Sequence, residues 1–408
     1  MRNARRQVRH ERSVRRERST ASSLPVVAVT GAARGLGEAL VKRLADTERV
    51  AYVVAIDDHR GDVAGAGVTW RLADVRDPAL ASRLSGVDVI VHADMDMSAV
   101  SDSRKRRASN VRGAQTVLTA AAAERVGRVV LVTSAMVYGA RPDNPVPLPE
   151  DAPLLADADA SLAGDLLEIE ELARRSRRVN PATAVSVARP AVLVGEGIDT
   201  LLTRHFEAPR LLAVRGCEPS WQFCHVSDLV SALELAVVGT VSGDFAVGCD
   251  GWLPRAAVEE LSGMKTIELP ARLTFGTAER LHRLGATPAP AAELRYAVYP
   301  WVVECDTLRA AGWHAEYDNA TALSALLAGR GGHTTVAGRR ITRKDTAITA
   351  ASAAAGTAAV IGTAAIVHRA RRSRKSLSRT APGDSRQSRS TLARRWMSHR
   401  PPSARDSM

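Results

Sequence analysis

The stretch LPVVAVTGAARGLGEALVKRLAD, residues 24–46, decides the fold. LPVVAVT (24–30) is a short β-rich apolar run that Gly31 stops, and GEALVKRLAD (37–46) has the spacing of an amphipathic helix. Strand, glycine turn and helix in direct succession are what a dinucleotide pyrophosphate requires. Gly31 permits the tight turn, Gly35 lets the backbone approach the phosphates, and Gly37 lets the helix pack closely on the sheet. The helix N-terminus, with Arg34 and Leu36 beside the glycines, then offers free N–H groups and a partial positive charge.

The next apolar run, VAYVVAI (50–56), ends at Asp57, twenty residues past Gly37. A carboxylate there accepts hydrogen bonds from the adenosine ribose hydroxyls and repels a 2′-phosphate, which favours NAD. Arg34 pulls the other way, because a guanidinium can hold a 2′-phosphate. NADP therefore stays open as the alternative cofactor.

Further runs follow at VDVIVHA (87–93), RVVLVTSA (128–135) and TAVSVARP (183–190), separated by Ala/Leu-rich stretches at 108–124 and 162–177. Short apolar runs alternating with amphipathic helices predict an α/β fold, a doubly wound parallel sheet of Rossmann type. Beyond about residue 195 the pattern becomes irregular. The expected organisation is a body over 24–330, with 24–190 mainly binding the dinucleotide and 191–330 mainly a smaller C-terminal substrate lobe.

The net charge of +12 is carried by the tails. Residues 1–23 carry +6 and residues 369–408 carry +10, which leaves −4 for the residues between. The body thus has no basic face for nucleic acid, and no nucleic-acid partner is expected. The first 23 residues lack the apolar content to fold and are expected to be a disordered basic tail. Cys217, Cys224, Cys249 and Cys305 form no CxxC pair, as suits idle thiols in a reducing cytoplasm. His92, Asp94 and Asp96 are ligand types, but His92 ends a buried strand and is read as packed or lining the cofactor. No metal is expected. Ser227 or Asp228 is expected to cap a helix, and Arg189 and Arg215 are candidates to hold a diphosphate or carboxylate.

The order of motifs over residues 25–328 resembles the extended short-chain dehydrogenase/reductase family, the NAD-dependent epimerase/dehydratase group. ADVRD (73–77) is similar to the acidic turn after the third strand, which implies adenine contacts for Asp74 and Val75. VDVIVHAD (87–94) is similar to the fourth strand, whose end, at Ala93, lines the cofactor. SNVRGAQTVLTAAAAERVGRVVLVTSAMVYG (109–139) resembles the long helix and fifth strand, and it places Ser134 on the catalytic serine. RPAVLVG (189–195), FCHVSDLVSAL (223–233) and LRAAGWHAEYD (308–318) continue the match. The resemblance implies an oxidoreductase or epimerase acting on a nucleotide-sugar-like or other polar small molecule.

Two features depart from the family. The glycine spacing, G-x-x-x-G-x-G, is that of its single-domain branch. The catalytic Tyr-x-x-x-Lys is missing: four residues after Tyr52, Tyr138, Tyr296, Tyr299 and Tyr317 stand Ile56, Pro142, Pro300, Val303 and Thr321. In the expected window, ADADASLAGDLLEIEELARR (156–175), helix register puts Ser161 and Asp165 at the two positions. A phenol becomes a useful acid/base at neutral pH only beside a cation, and a serine beside a carboxylate is pushed the wrong way. A non-catalytic dinucleotide sensor or scaffold is therefore the rival reading.

After a linker at 331–345 comes an uncharged run, 346–367, and then a disordered basic tail, 368–408. The run has the length of a bilayer span but few strongly apolar residues. Together with the tail it offers a route from the cytoplasm to an anionic membrane surface, or a helix that packs on a second copy in a homo-oligomer.

Overall fold

The computed structural model describes residues 24–98, 102–284 and 291–329, and two short strands, Thr334–Val336 and Arg339–Ile341. The basic tails and the uncharged run 346–367 lie outside the described residues, and with them the membrane and self-association readings. Among the described residues no helix is long and apolar enough to cross a membrane.

Seven parallel strands form the main sheet. Six are β1 (Val26–Thr30), β2 (Tyr52–Asp57), β3 (Val68–Leu72), β4 (Val89–His92), β5 (Arg128–Val132) and β6 (Ala184–Pro190), in the order β3-β2-β1-β4-β5-β6. The order reverses between β1 and β4, and the carboxyl ends of strands at such a switch point open a ligand crevice. The five apolar runs of the sequence thus mark β1, β2, β4, β5 and β6, with a residue or more trimmed from most ends, and β3 was not among them.

The inner strands feed two cores through their period of two. Val27 and Val29 of β1 pack on one face with Leu40 and Leu44 of α1 (Gly35–Asp46) and Leu229 and Leu233 of α6 (Val226–Val238). Val26 and Ala28 pack on the other face. There they meet Leu80 of α2 (Leu80–Arg83), Val117 of α3 (Ser103–Ala123) and Leu166 of α4 (Leu162–Val179). Continuous apolar runs are what a sheet buried on both sides demands.

The smaller lobe is assembled from two-stranded pieces. These pair β7 (Val192–Val194) with β10 (Phe223–His225), β8 (Leu211–Val214) with β13 (Thr266–Leu269), and β9 (Ser220–Trp221) with β12 (Leu253–Pro254). Its helices are α5 (Leu201–His205), α7 (Arg255–Ser262), α8 (Ala271–Arg283), α9 (Ala291–Val298), α10 (Asp306–Ala310) and α11 (Asn319–Ala328). The expected split at residue 190 is interleaved in space. The chain returns to the main sheet through α6 and through β11 (Asp244–Val247), which pairs with β6 as the seventh strand. The stretch read as a linker holds Thr334–Val336 paired antiparallel with Arg339–Ile341.

Two polar expectations change. The cap of α6 is His225, whose Nδ1 accepts from Ser227 N at 3.3 Å, whereas the Asp228 carboxylate accepts from Glu316 N and Tyr317 N. Arg189 is buried and pairs with Glu170 through Nε at 2.9 Å and a terminal nitrogen at 2.8 Å, so it braces β6 against α4 rather than facing a ligand. Arg215 is exposed just past β8. Truncating one partner of a buried ion pair leaves the other charge under-paired, and without Glu170 the Arg189 guanidinium would keep Asp244 Oδ2, at 3.1 Å, as its ion-pair partner. Glu170→Ala should therefore lower unfolding free energy by about 3–5 kcal/mol in denaturant titrations. Glu170→Leu combined with Arg189→Met should lose less, and equal losses would contradict this assignment.

His92 is fully buried at the end of β4, with Nδ1 2.8 Å from Thr30 Oγ1 and, among the described residues, no partner at Nε2. Burial lowers its pKa from 6.5 to about 4. Between those values the unfolded chain takes up a proton that the folded chain refuses, so stability is lost as pH falls through the window. The Tm of His92→Gln should fall less steeply than that of the parent from pH 6.5 to 4. Parallel curves would contradict the buried neutral imidazole.

Candidate functional site

Thr30 ends β1, and the chain turns at Gly31 with φ of +70° and again at Gly35 with φ of +54°. Only glycine adopts such angles without strain. A Cβ at Gly37 would lie 1.9 Å from the Gly31 carbonyl oxygen, so α1 crosses the strand end in direct backbone contact. No side chain caps α1, whose N-cap is the exposed Arg34; Leu36 is buried beneath it. The first N–H groups of the helix are thereby left for an anion.

Asp57, at the end of β2, is 7% exposed and reaches back to this turn. Its Oδ2 accepts from Ala33 N at 3.0 Å and its Oδ1 from Asp58 N at 2.8 Å. Each oxygen retains a lone pair, so the carboxylate is fixed in place and can still accept. His59 Nδ1 lies 2.5 Å from Asp58 Oδ1. Asp57, Asp58 and His59 bring ligand-type atoms within 4.8 Å of one another, but Asp58 and His59 are exposed and pair with each other.

The remaining sequence-predicted residues behave differently from one another. Asp74 is held by Arg76, whose guanidinium keeps the carboxyl below its usual range. Val75 turns its side chain into the core against Gly113. Ala93 is buried at the end of β4.

Ser134 follows β5 and caps the short 3-10 turn Ala135–Tyr138. Its Oγ accepts from Met136 N and donates to the Pro190 carbonyl, both at 3.2 Å. It lines a cleft with Met136, Leu162, Arg106, Glu293 and Trp301. Among the described residues lining that cleft there is neither tyrosine nor lysine. Tyr138 is buried elsewhere; its hydroxyl donates to the Glu150 carbonyl and accepts from Arg189.

Arg106 and Glu293 were not singled out in the sequence. Arg106 Nε donates to Asp165 Oδ2 at 2.9 Å, one terminal nitrogen donates to Glu293 Oε1 at 3.2 Å, and the other donates to the Ala160 carbonyl at 2.8 Å. Glu293 Oε1 also accepts from Leu162 N at 2.9 Å, which ties α9 to the start of α4. Burial raises the pKa of both carboxyls, and in each the neighbouring Arg106 opposes the rise. Arg106 falls in the same helical stripe as the buried Asn110, Ala114 and Val117. That register was the available signal, masked by the run SRKRR (103–107), which looks solvent-exposed.

The family model described as NAD dependent epimerase/dehydratase matches residues 27–248. An uncharacterised protein of Mycobacterium tuberculosis is 30% identical over 319 residues, covering 75% of this chain and 84% of that protein. Among solved structures, the Bordetella bronchiseptica enzyme WbmG in complex with NAD and UDP has a TM-score of 0.56 at 21% identity, over 75% of this chain and 94% of that one. UDP-glucose 4-epimerase from Thermotoga maritima with UDP-glucose has a TM-score of 0.56 at 16% identity, over 74% and 97%. A glycine turn at the switch point of a parallel sheet, matched by the family over more than half its length, settles descent: the chain belongs to the NAD dependent epimerase/dehydratase family.

Proposed function

We propose that the protein binds NAD(H) over the carboxyl ends of β1, β2 and β4. It holds a nucleotide-sugar-like or other polar ligand in the Ser134 cleft, as an oxidoreductase or epimerase with weakened proton transfer. The observation that carries the first part is the uncapped α1 N-terminus over the Gly31–Gly37 turn, with Asp57 locked beside it. The pyrophosphate would sit on the amides of residues 35–37, with ribose hydroxyls on Asp57. Asp58 and Asp74 add to Asp57 a local field that disfavours a 2′-phosphate, against Arg34 in the turn. Val75 and Ala93 would border the adenosine and the middle of the cofactor. Supporting this reading, WbmG is described with NAD and UDP, and MoeE5 with UDP-glucuronic acid and NAD.

Bound NAD would supply the hydride acceptor; the chain must supply orientation and a proton path. The Ser134 hydroxyl can orient a substrate oxygen once its bond to the Pro190 carbonyl is exchanged. Ser161 and Asp165, at the places that register gives to the family's tyrosine and lysine, are otherwise engaged. Ser161 caps α4 through Gly164 N, and Asp165 is fully buried against Arg106. Neither is free to shuttle a proton. The same engagement favours the second reading, a non-catalytic dinucleotide-binding sensor or scaffold.

In calorimetry on the full chain NADH should bind at least about tenfold more tightly than NADPH. Asp57→Ala should weaken NADH by about 10–100-fold, the worth of hydrogen bonds to a charged group. Failure of both dinucleotides to bind at millimolar concentration would overturn the cofactor assignment. With NAD present, UDP-glucose should turn over about 10²–10⁴-fold more slowly than with a family member that has Tyr and Lys. Fast turnover that Ser134→Ala leaves intact would show that the chemistry lies elsewhere.

A further inference from the structure

Asp94 follows β4 directly and presses on the glycine turn. A Cβ at Gly31 would lie 2.7 Å from Asp94 Cα and 3.0 Å from Asp94 Cβ. The carboxyl makes no hydrogen bond or ion pair among the described residues, yet its oxygens are not sealed from solvent. Around it stand Asp57 and Asp58 from the end of β2, with His59 paired to Asp58, and Asp74 after β3, paired to Arg76. Arg34 in the turn offsets its charge, and the Arg76 guanidinium, paired to Asp74, also feels it. An unsatisfied, half-enclosed acid among other acids, against the turn that receives a pyrophosphate, opposes the anion it adjoins.

We propose that the charge of Asp94 sets the strength of dinucleotide binding: the turn accepts the pyrophosphate with this carboxyl neutral, and the ionised carboxylate resists it. The proposal rests on the NAD(H) reading above and assigns a control residue within that site. Burial, reinforced by Asp57, pushes the Asp94 carboxyl up to about 6. At neutral pH the free protein thus holds it mostly ionised, and binding draws in a proton. By linkage, affinity falls towards tenfold per pH unit above that value, about 25-fold between pH 5.5 and 7.5. Cofactor uptake is then favoured by mild acid.

The experiment is NADH titration of the full chain at pH 5.5, 6.5 and 7.5, in the parent and in Asp94→Asn, Asp94→Ser and His59→Gln. The parent should weaken by about 25-fold across the range. Both Asp94 variants should be flat and bind more tightly than the parent at pH 7.5, and His59→Gln should keep the parent's slope. A flat parent, or the same slope in the Asp94 variants, overturns the proposal while NADH binding itself upholds the cofactor reading. A slope lost in His59→Gln and kept in Asp94→Asn moves the control to the imidazole and also overturns it. No binding in any of the four proteins overturns the cofactor reading, and this proposal with it.

Discussion

The backbone contact between Gly37 and Gly31 governs the arrangement of the candidate cofactor site. With 1.9 Å separating the carbonyl oxygen of Gly31 from the place of a Cβ at Gly37, no other residue lets α1 start directly on the end of β1. That start aims the helix amides at the switch point between β1 and β4, where the sheet opens. Asp57 then fixes the turn from below through Ala33 N, so one carboxylate shapes the loop and stays available to a ligand. Asp94 lies against Gly31 from the end of β4, which brings an acid to the rim of the proposed phosphate site.

The second half of the site rests on charge. Arg106, Asp165 and Glu293 come from α3, α4 and α9, distant in sequence, and meet beside the Ser134 cleft. One guanidinium answers two buried carboxylates there, with the half-exposed Arg107 sharing Asp165. Buried ion groups of this kind specify how elements dock more than they add net stability. Here they join the smaller lobe to the helix whose first turn lies next to Ser134, and they hold Asp165 between Arg106 and Arg107.

The main sheet was legible because burial on both faces makes a strand an apolar run, and five such runs appear in order; β3, half-exposed at the sheet edge, shows no such run. β11 was not, since DFAV (244–247) is short and follows an irregular region, and its place is fixed by pairing with β6. The glycine turn and Asp57 were readable because backbone angle and charge restrict the residue types allowed. Arg106 and Glu293 were not, because a buried charge shows itself only through partners that the fold supplies. The cap of α6 was misread for a similar reason: Asp228 has the usual capping chemistry, but the backbone at Glu316 and Tyr317 claims it and His225 takes the cap.

The most direct test is a crystal structure of the full chain grown with NADH and UDP-glucose. The account predicts a pyrophosphate on the amides of residues 35–37, ribose hydroxyls within hydrogen-bond distance of Asp57, and Arg106 still paired with Asp165 beside the Ser134 cleft. A dinucleotide bound away from the glycine turn, or a tyrosine and a lysine from elsewhere in the chain converging on Ser134, would contradict it.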